Sequence, residues 1–151
     1  MKEMKVDSIK DGTVIDHIAS GHALQVVEVL NIHGSQLVMI GLNLSSAKYG
    51  RKDIVKIENK ELSETELNTI ALISPAATYS IINNFEVVRK STVTMPQHID
   101  GLIVCPNPQC VTTVERVPTH FAVESDDPVT VRCGYCEKSY AVSEVKIRIR
   151  R

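Results

Sequence analysis

The residues in this chain best suited to chemistry are four cysteines, and they fall in two close pairs. Cys105-Pro106-Asn107-Pro108-Gln109-Cys110 and Cys133-Gly134-Tyr135-Cys136 make two short loops separated by 22 residues. Within each loop both sulfurs can turn toward one point, and four thiolates meeting there suit a tetrahedral Zn2+ with Zn–S bonds of about 2.3 Å. Sulfur would fill every position and leave no site for an activated water. One structural zinc per chain is therefore expected, with no catalytic role. A module of about 50 residues has little room for an apolar core, so ligation would supply the missing stability. Three other uses of the same thiols compete. Two disulfides are disfavoured in a reducing compartment. A redox pair at Cys133 and Cys136 would leave the matching first pair without a purpose. Rubredoxin-like iron accepts the same four thiolates, and the longer first spacer favours zinc over it.

No second constellation of catalytic type accompanies the cysteines. Histidines 17, 22, 33, 98 and 120 show no ligand spacing. Asp16 and His17 are neighbours on a predicted strand, where adjacent side chains point to opposite faces, and no activated nucleophile accompanies them. The segment from Gly41 to Lys52 contains glycines, serines and a lysine but lacks the spacing of a phosphate loop. A non-catalytic protein is expected.

The elements that must position these residues change in character along the chain. Thr13–Ile18 is predicted to be a strand, and Gly21–Ile32 a helix with apolar residues at 23, 24, 26, 27 and 30. Gln36–Leu44 and Lys52–Glu58 read as strands joined by a hairpin loop over Ser45–Arg51. Ser63 and Glu66 have capping-box spacing, and the helix they open should bury Leu67, Ile70 and Ala71 and stop before Pro75. Tyr79–Arg89 completes a β-α-β-β-α-β order, the ferredoxin-like arrangement. The edge strand at Gln36–Leu44 would be unpaired unless it met a partner, which suggests a homodimer. Residues 91–98 are polar with a proline and read as a linker between an N-terminal domain, 1–90, and a zinc-binding domain, 99–151. The fold class is thus α+β followed by a small all-β module. Its strands are expected at 102–104, 121–123, 129–131 and 140–149, with the basic tail as a solvated edge strand.

Composition narrows the remaining classes. Over 151 residues, 43% are hydrophobic and 23% charged, the balance of a globular protein. No apolar run approaches membrane-spanning length, and the N-terminus lacks a secretory pattern, so a cytoplasmic location is expected. Net charge is −1, with two Phe, four Tyr and no Trp, so neither general attraction to nucleic acid nor base-stacking surface is evident. A zinc-ribbon nucleic-acid-binding adaptor is the alternative that the module and its basic tail would otherwise suggest.

The strings GTVIDHI (12–18), IGLNL (40–44), GRKDIVKIEN (50–59) and NNFEVV (83–88), with the CPN…C and C–YCEK loops, resemble the regulatory chain of aspartate carbamoyltransferase. The resemblance runs in order from about Val6 to Val145. It implies an N-terminal allosteric domain and a zinc domain that grips the catalytic chain. It also implies a regulatory homodimer within a dodecamer of two catalytic trimers and three regulatory dimers. CTP, UTP and ATP would act as effectors on the first committed step of pyrimidine synthesis. The family's nucleotide pocket falls on Val6, Asp7, Ser8 and Ile9 at the base, and on Val14, Asp16 and His17 near ribose and phosphates. It also takes in Lys56, Ile82, Phe85, Val87 and Lys90. The two lysines would stand on strands able to be neighbours, supplying the charge that a triphosphate needs. Asn107, Glu137 and Lys138 match positions that contact the catalytic chain. Ser80 and Phe85 stand where familiar members have asparagine and tyrosine, and Gln109 and Gly134 also differ, so effector preference does not carry over.

Overall fold

The computed structural model describes residues 8–30, 32, 34, 36–47 and 50–148. The chain divides into two compact units, Met1–Thr94 and Met95–Arg151.

In the first unit the order is β1 (Gly12–Ile18), α1 (Ala23–Val29), β2 (Val38–Ser46), β3 (Gly50–Glu58), α2 (Glu64–Ile73), β4 (Thr78–Asn83) and β5 (Glu86–Thr92). The strands form one antiparallel sheet in the order β2-β3-β1-β4-β5. Alternation in β1 and β3 decides its two faces. Thr13 and Ile15 lie opposite Ile57 and Val55, and Tyr79 lies opposite Ile15. All five are buried. Ala23 and Val26 of α1 and Ile70, Ala71 and Leu72 of α2 are buried with them, and α1 touches both α2 and β3. The helices therefore take one face, while Val14, Lys56, Ser80 and Lys90 are carried on the other.

Helix α2 begins as its capping box requires. Ser63 Oγ accepts from Glu66 N at 3.1 Å, and Glu66 Oε1 accepts from Ser63 N at 3.1 Å. The helix ends at Ile73, two residues before Pro75, although Leu67 is only half-buried. Helix α1 is shorter than expected. Gly21 has φ +93 and cannot be helical, and Leu24 is 62% exposed despite its place in the predicted stripe.

The predicted single strand Tyr79–Arg89 is instead a hairpin, β4 and β5. Asn84 and Phe85 make its turn with φ +52 and +67, the left-handed geometry of a two-residue hairpin loop. Asn84 N donates to Asp11 Oδ1 at 3.0 Å and Phe85 N to Lys10 O at 2.9 Å. These bonds reach back to the entry of β1 and hold a turn that its own sequence favours weakly. The extra strand also reaches into the predicted linker. Ser91 and Thr92 belong to β5 and His98 to β6, so only 93–97 lie between strands.

The second unit contains β6 (His98–Asp100), β7 (Ile103–Val104), α3 (Val111–Val114), β8 (His120–Asp126), β9 (Val129–Cys133), β10 (Ser139–Ala141), a 3-10 turn (Val142–Glu144) and β11 (Lys146–Ile147). It has a four-stranded sheet, β10-β9-β8-β6, and a two-stranded one, β11-β7. It is not purely β, because α3 follows the first cysteine loop. The predicted strand 140–149 is broken by the 3-10 turn, after which Lys146 and Ile147 pair with Val104 and Ile103. Ile149 lies outside the described residues.

Candidate metal centre and nucleotide face

The second unit brings the two cysteine loops together. β7 delivers Cys105, Cys110 caps α3, and Cys133 ends β9. The four sulfurs lie within 4.8 Å of one another, with Cys105–Cys136 and Cys110–Cys133 Sγ···Sγ distances of 3.7 Å. A tetrahedron with metal–sulfur bonds of about 2.3 Å has an edge of about 3.8 Å, so this spacing fits four ligands around one ion. A disulfide would need about 2.05 Å, and the four thiols are free. Cys105, Cys110 and Cys133 are buried and Cys136 is half-buried.

Without a cation these sulfurs compete for protons. Burial first, then the neighbouring Cys136 and Cys110 thiols, push Cys105 up to about 12 against a backbone bond from Asn107. Burial also opposes ionisation of Cys110, but the Thr112 hydroxyl and backbone outweigh it and bring the thiol down to about 7. The set is a thiolate cage that needs a positive ion to ionise fully.

The helix-free face of the first unit gathers most of the residues expected at a nucleotide pocket. The register aligns Lys56, Val14, Ser80 and Lys90 in one row across β3, β1, β4 and β5. The two lysines are thus not on neighbouring strands. They share a face across three strand spacings, about 14 Å. One row along, Gly12 faces Ile82 and Ile82 faces Val87. The other way, Asp16 faces Thr78.

His17 departs from the expected alternation. Its φ of +55 coincides with a register break between Ile15 and Ile18, and such a bulge re-aims a side chain. His17 Nδ1 lies 3.0 Å from Thr78 Oγ1, the residue opposite Asp16, so Asp16 and His17 serve the same face. Ile9 is buried, Ser8 is exposed, and the Lys10 carbonyl and Asp11 carboxylate beside them meet the hairpin turn that carries Phe85. Val6 and Asp7 lie outside the described residues.

Lys52 was not expected in this group. Its Nζ lies 2.9 Å from Asp16 Oδ1, and its phase with Ile54 and Lys56 in β3 is the signal that could have found it. Partial burial works against ionisation of Asp16. The Lys52 ammonium and the His17 backbone N–H outweigh it and hold the carboxyl below the usual carboxylate range. A carboxyl lowered on folding contributes stability above its unfolded value near 4 and loses it as pH falls through the folded value. The stability gap between the parent and Asp16→Asn proteins should therefore be present at neutral pH and close below about pH 4. Urea titration across pH checks this, and a gap that widens in acid would contradict it.

A family model for the aspartate carbamoyltransferase regulatory chain, allosteric domain, matches residues 4–94, and one for its metal binding domain matches residues 97–146. The chain belongs to the aspartate carbamoyltransferase regulatory chain family. The regulatory chain of Thermococcus sibiricus is 49% identical over 139 residues, 92% of this chain and 93% of the relative. That of Pyrococcus horikoshii is 48% identical over 148 residues, 96% of this chain and 97% of the relative. That of Methanocaldococcus jannaschii is 48% identical over 138 residues, 91% and 93% of the two chains.

The allosteric-domain match contains the whole helix-free sheet face, and the metal-binding match contains all four cysteines. Around the cysteines, Glu137 N donates to Cys133 O at 2.9 Å and Cys133 N donates to Lys138 O at 3.0 Å. Asn107 O accepts from Cys110 N at 3.1 Å. Asn107, Glu137 and Lys138 are thus built into the two loops, with Glu137 and Lys138 exposed. Among the described residues no helix is long and apolar enough to cross a membrane.

Proposed function

We propose that this chain is a non-catalytic regulatory subunit that binds nucleoside triphosphates on the open face of its N-terminal sheet and transmits their effect to aspartate carbamoyltransferase catalytic trimers. The observation that carries this is the row Lys56-Val14-Ser80-Lys90 with Asp16 and His17 beside it. A ligand lying over β1 and β4 has a lysine on each side, apolar Ile82 and Val87 toward one end, and Asp16 available for ribose hydroxyls. Phe85 supports the base end. The residue is 63% exposed on the hairpin turn that the Lys10 carbonyl holds, leaving an apolar side chain open to a base. The family resemblance assigns Val6, Asp7, Ser8 and Ile9 to the base as well, and of these Ser8 and Ile9 are among the described residues. CTP, UTP and ATP are the effectors proposed, acting on the first committed step of pyrimidine synthesis in the cytoplasm.

The first four strands have ferredoxin-like order, to which β5 is added. The opposite edge, β2, exposes Ile40 and Leu42, with Leu37 just before it, and we assign it to the homodimer of a dodecameric holoenzyme. Zinc fills the tetrathiolate and holds Asn107, Glu137 and Lys138 in position to meet the catalytic chain. Metal analysis giving iron would overturn that choice of ion.

Lys90→Ala tests the nucleotide reading. It should weaken CTP and ATP alike by about 1.5–3 kcal/mol, the worth of a charge-assisted contact to their common triphosphate. Holoenzyme assembly should be unaffected. Lys56→Ala should also change the CTP-to-ATP ratio, if it lies nearer the base. Calorimetry on the regulatory dimer measures both, and unchanged affinity in the Lys90→Ala protein would move the site elsewhere.

A further inference from the structure

One buried side chain beside the metal centre has no ligand role yet makes its closest polar contact with a ligand. Thr112 is 4% exposed, and its Oγ1 lies 3.1 Å from Cys110 Sγ, itself 1% exposed. The placement follows from the chain's path. Cys110 caps α3, Thr113 N and Val114 N both donate to Cys110 O, and the tight turn folds the second helical residue back over the sulfur.

A hydroxyl can donate or accept, but a metal-bound thiolate offers no proton. In the loaded centre the Thr112 hydroxyl must therefore donate to sulfur. Donation draws electron density from Cys110 and fixes the direction of its lone pairs. Cys110 would otherwise carry its share of a tetrathiolate's net negative charge in a dry setting, which is costly unless hydrogen-bonded. Every buried side-chain nitrogen and oxygen among the described residues already has a hydrogen-bond partner, so removing this hydroxyl would leave the sulfur with the Thr112 backbone N–H but without its side-chain donor.

We propose that Thr112 is a positioning residue of the metal centre, whose hydroxyl bond to Cys110 holds that thiolate on the ion and slows its loss. The proposal rests on the metal reading above and is independent of nucleotide regulation. Partners of this kind change metal affinity by about 10–100-fold when removed. Thr112→Val keeps shape and removes the hydroxyl, while Thr112→Ser keeps the hydroxyl and removes a methyl.

The test uses the full chain loaded with zinc and then with Co2+ as a spectroscopic probe. Zinc release to a chelator should be about 10–100-fold faster from the Thr112→Val protein and close to the parent's rate from Thr112→Ser. The sulfur-to-cobalt charge-transfer band should shift in Thr112→Val and stay in place in Thr112→Ser, a readout that a general loss of packing would not move. Should the valine protein not fold, Thr112→Ala replaces it against the same serine control. Parental release and spectra in the hydroxyl-free protein, or serine behaving as valine does, would overturn the proposal. Failure of the parent chain to take up either ion would instead overturn the metal reading itself.

Discussion

Removal of the metal is expected to unfold the second unit while the first keeps its structure. The second unit buries Ile99, Leu102, Ile103, Phe121, Val129 and Val131 as its main apolar side chains, a small core for 57 residues. Domains of that size are marginal on apolar burial alone. Structural zinc in zinc-finger peptides has about 10–16 kcal/mol of apparent binding energy at neutral pH, which acts as folding energy. Losing it also leaves four close-packed thiols, three of them buried, with no cation to compensate them. The first unit has its own sheet and two helices, with Ile15, Ile18, Val55, Ile57, Ile70 and Leu72 essentially inaccessible, and needs no ion. Treatment with a mercurial should release one zinc per chain. It should also strip hydrogen-exchange protection from β8 and β9 while β1 and β3 stay protected. Cys133→Ser should reproduce the effect and prevent association with catalytic trimers, because Glu137 and Lys138 hang from that loop. Protected β8 and β9 amides in metal-free protein would show that the apolar core suffices.

How far the fold could be read before the structure depended on whether the signal was local. The capping box at Ser63 and Glu66 reports its own helix start, and the β1 and β3 alternation reports its own faces. Both were legible. The cysteine loops were legible for a similar reason, since each pair is close enough in sequence to meet in space. The β4–β5 turn was not. Asn84 and Phe85 lack the glycine that marks a left-handed turn, and what holds them is bonding to Lys10 and Asp11, more than 70 residues earlier. The His17 bulge failed for the same reason: strict alternation sent its ring away from Asp16, whereas the register break brings it to Thr78. The lysine row was half legible. Charge on β3 and β5 could be anticipated, but their separation by β1 and β4 is a property of strand order that pairwise reading does not supply.

Asp53 shows what such non-local bonding is worth, and its replacement should give the largest stability loss of any single exposed-looking charge in the first unit. In GRKDIVKIE it resembles a solvated strand residue, yet it is in phase with Val55 and Ile57 and is fully buried. Its Oδ2 accepts from Gly21 N at 2.9 Å and Ala23 N at 3.1 Å, and its Oδ1 from Asn43 N at 2.7 Å. The N-cap residue of α1, His22, offers no side-chain bond, so Asp53 reaches across from β3 to supply the acceptor that a cap would normally provide. The same carboxylate holds Asn43, at φ +57, in the register break of β2. Asp53→Ala takes the acceptor from all three N–H donors at once. A buried donor left unpaired costs about 1–3 kcal/mol, and because Gly21 and Asn43 lie near solvent, water can replace part of the loss. The expected destabilisation is about 2–4 kcal/mol. Asp53→Asn should also destabilise, by less, since its amide keeps one acceptor oxygen but turns its NH2 toward at least one N–H that already donates. Urea unfolding of the zinc-loaded chain measures both, read from probes in the first unit. A loss below about 1 kcal/mol for the alanine protein would mean that α1 and the β2 bulge hold without this carboxylate.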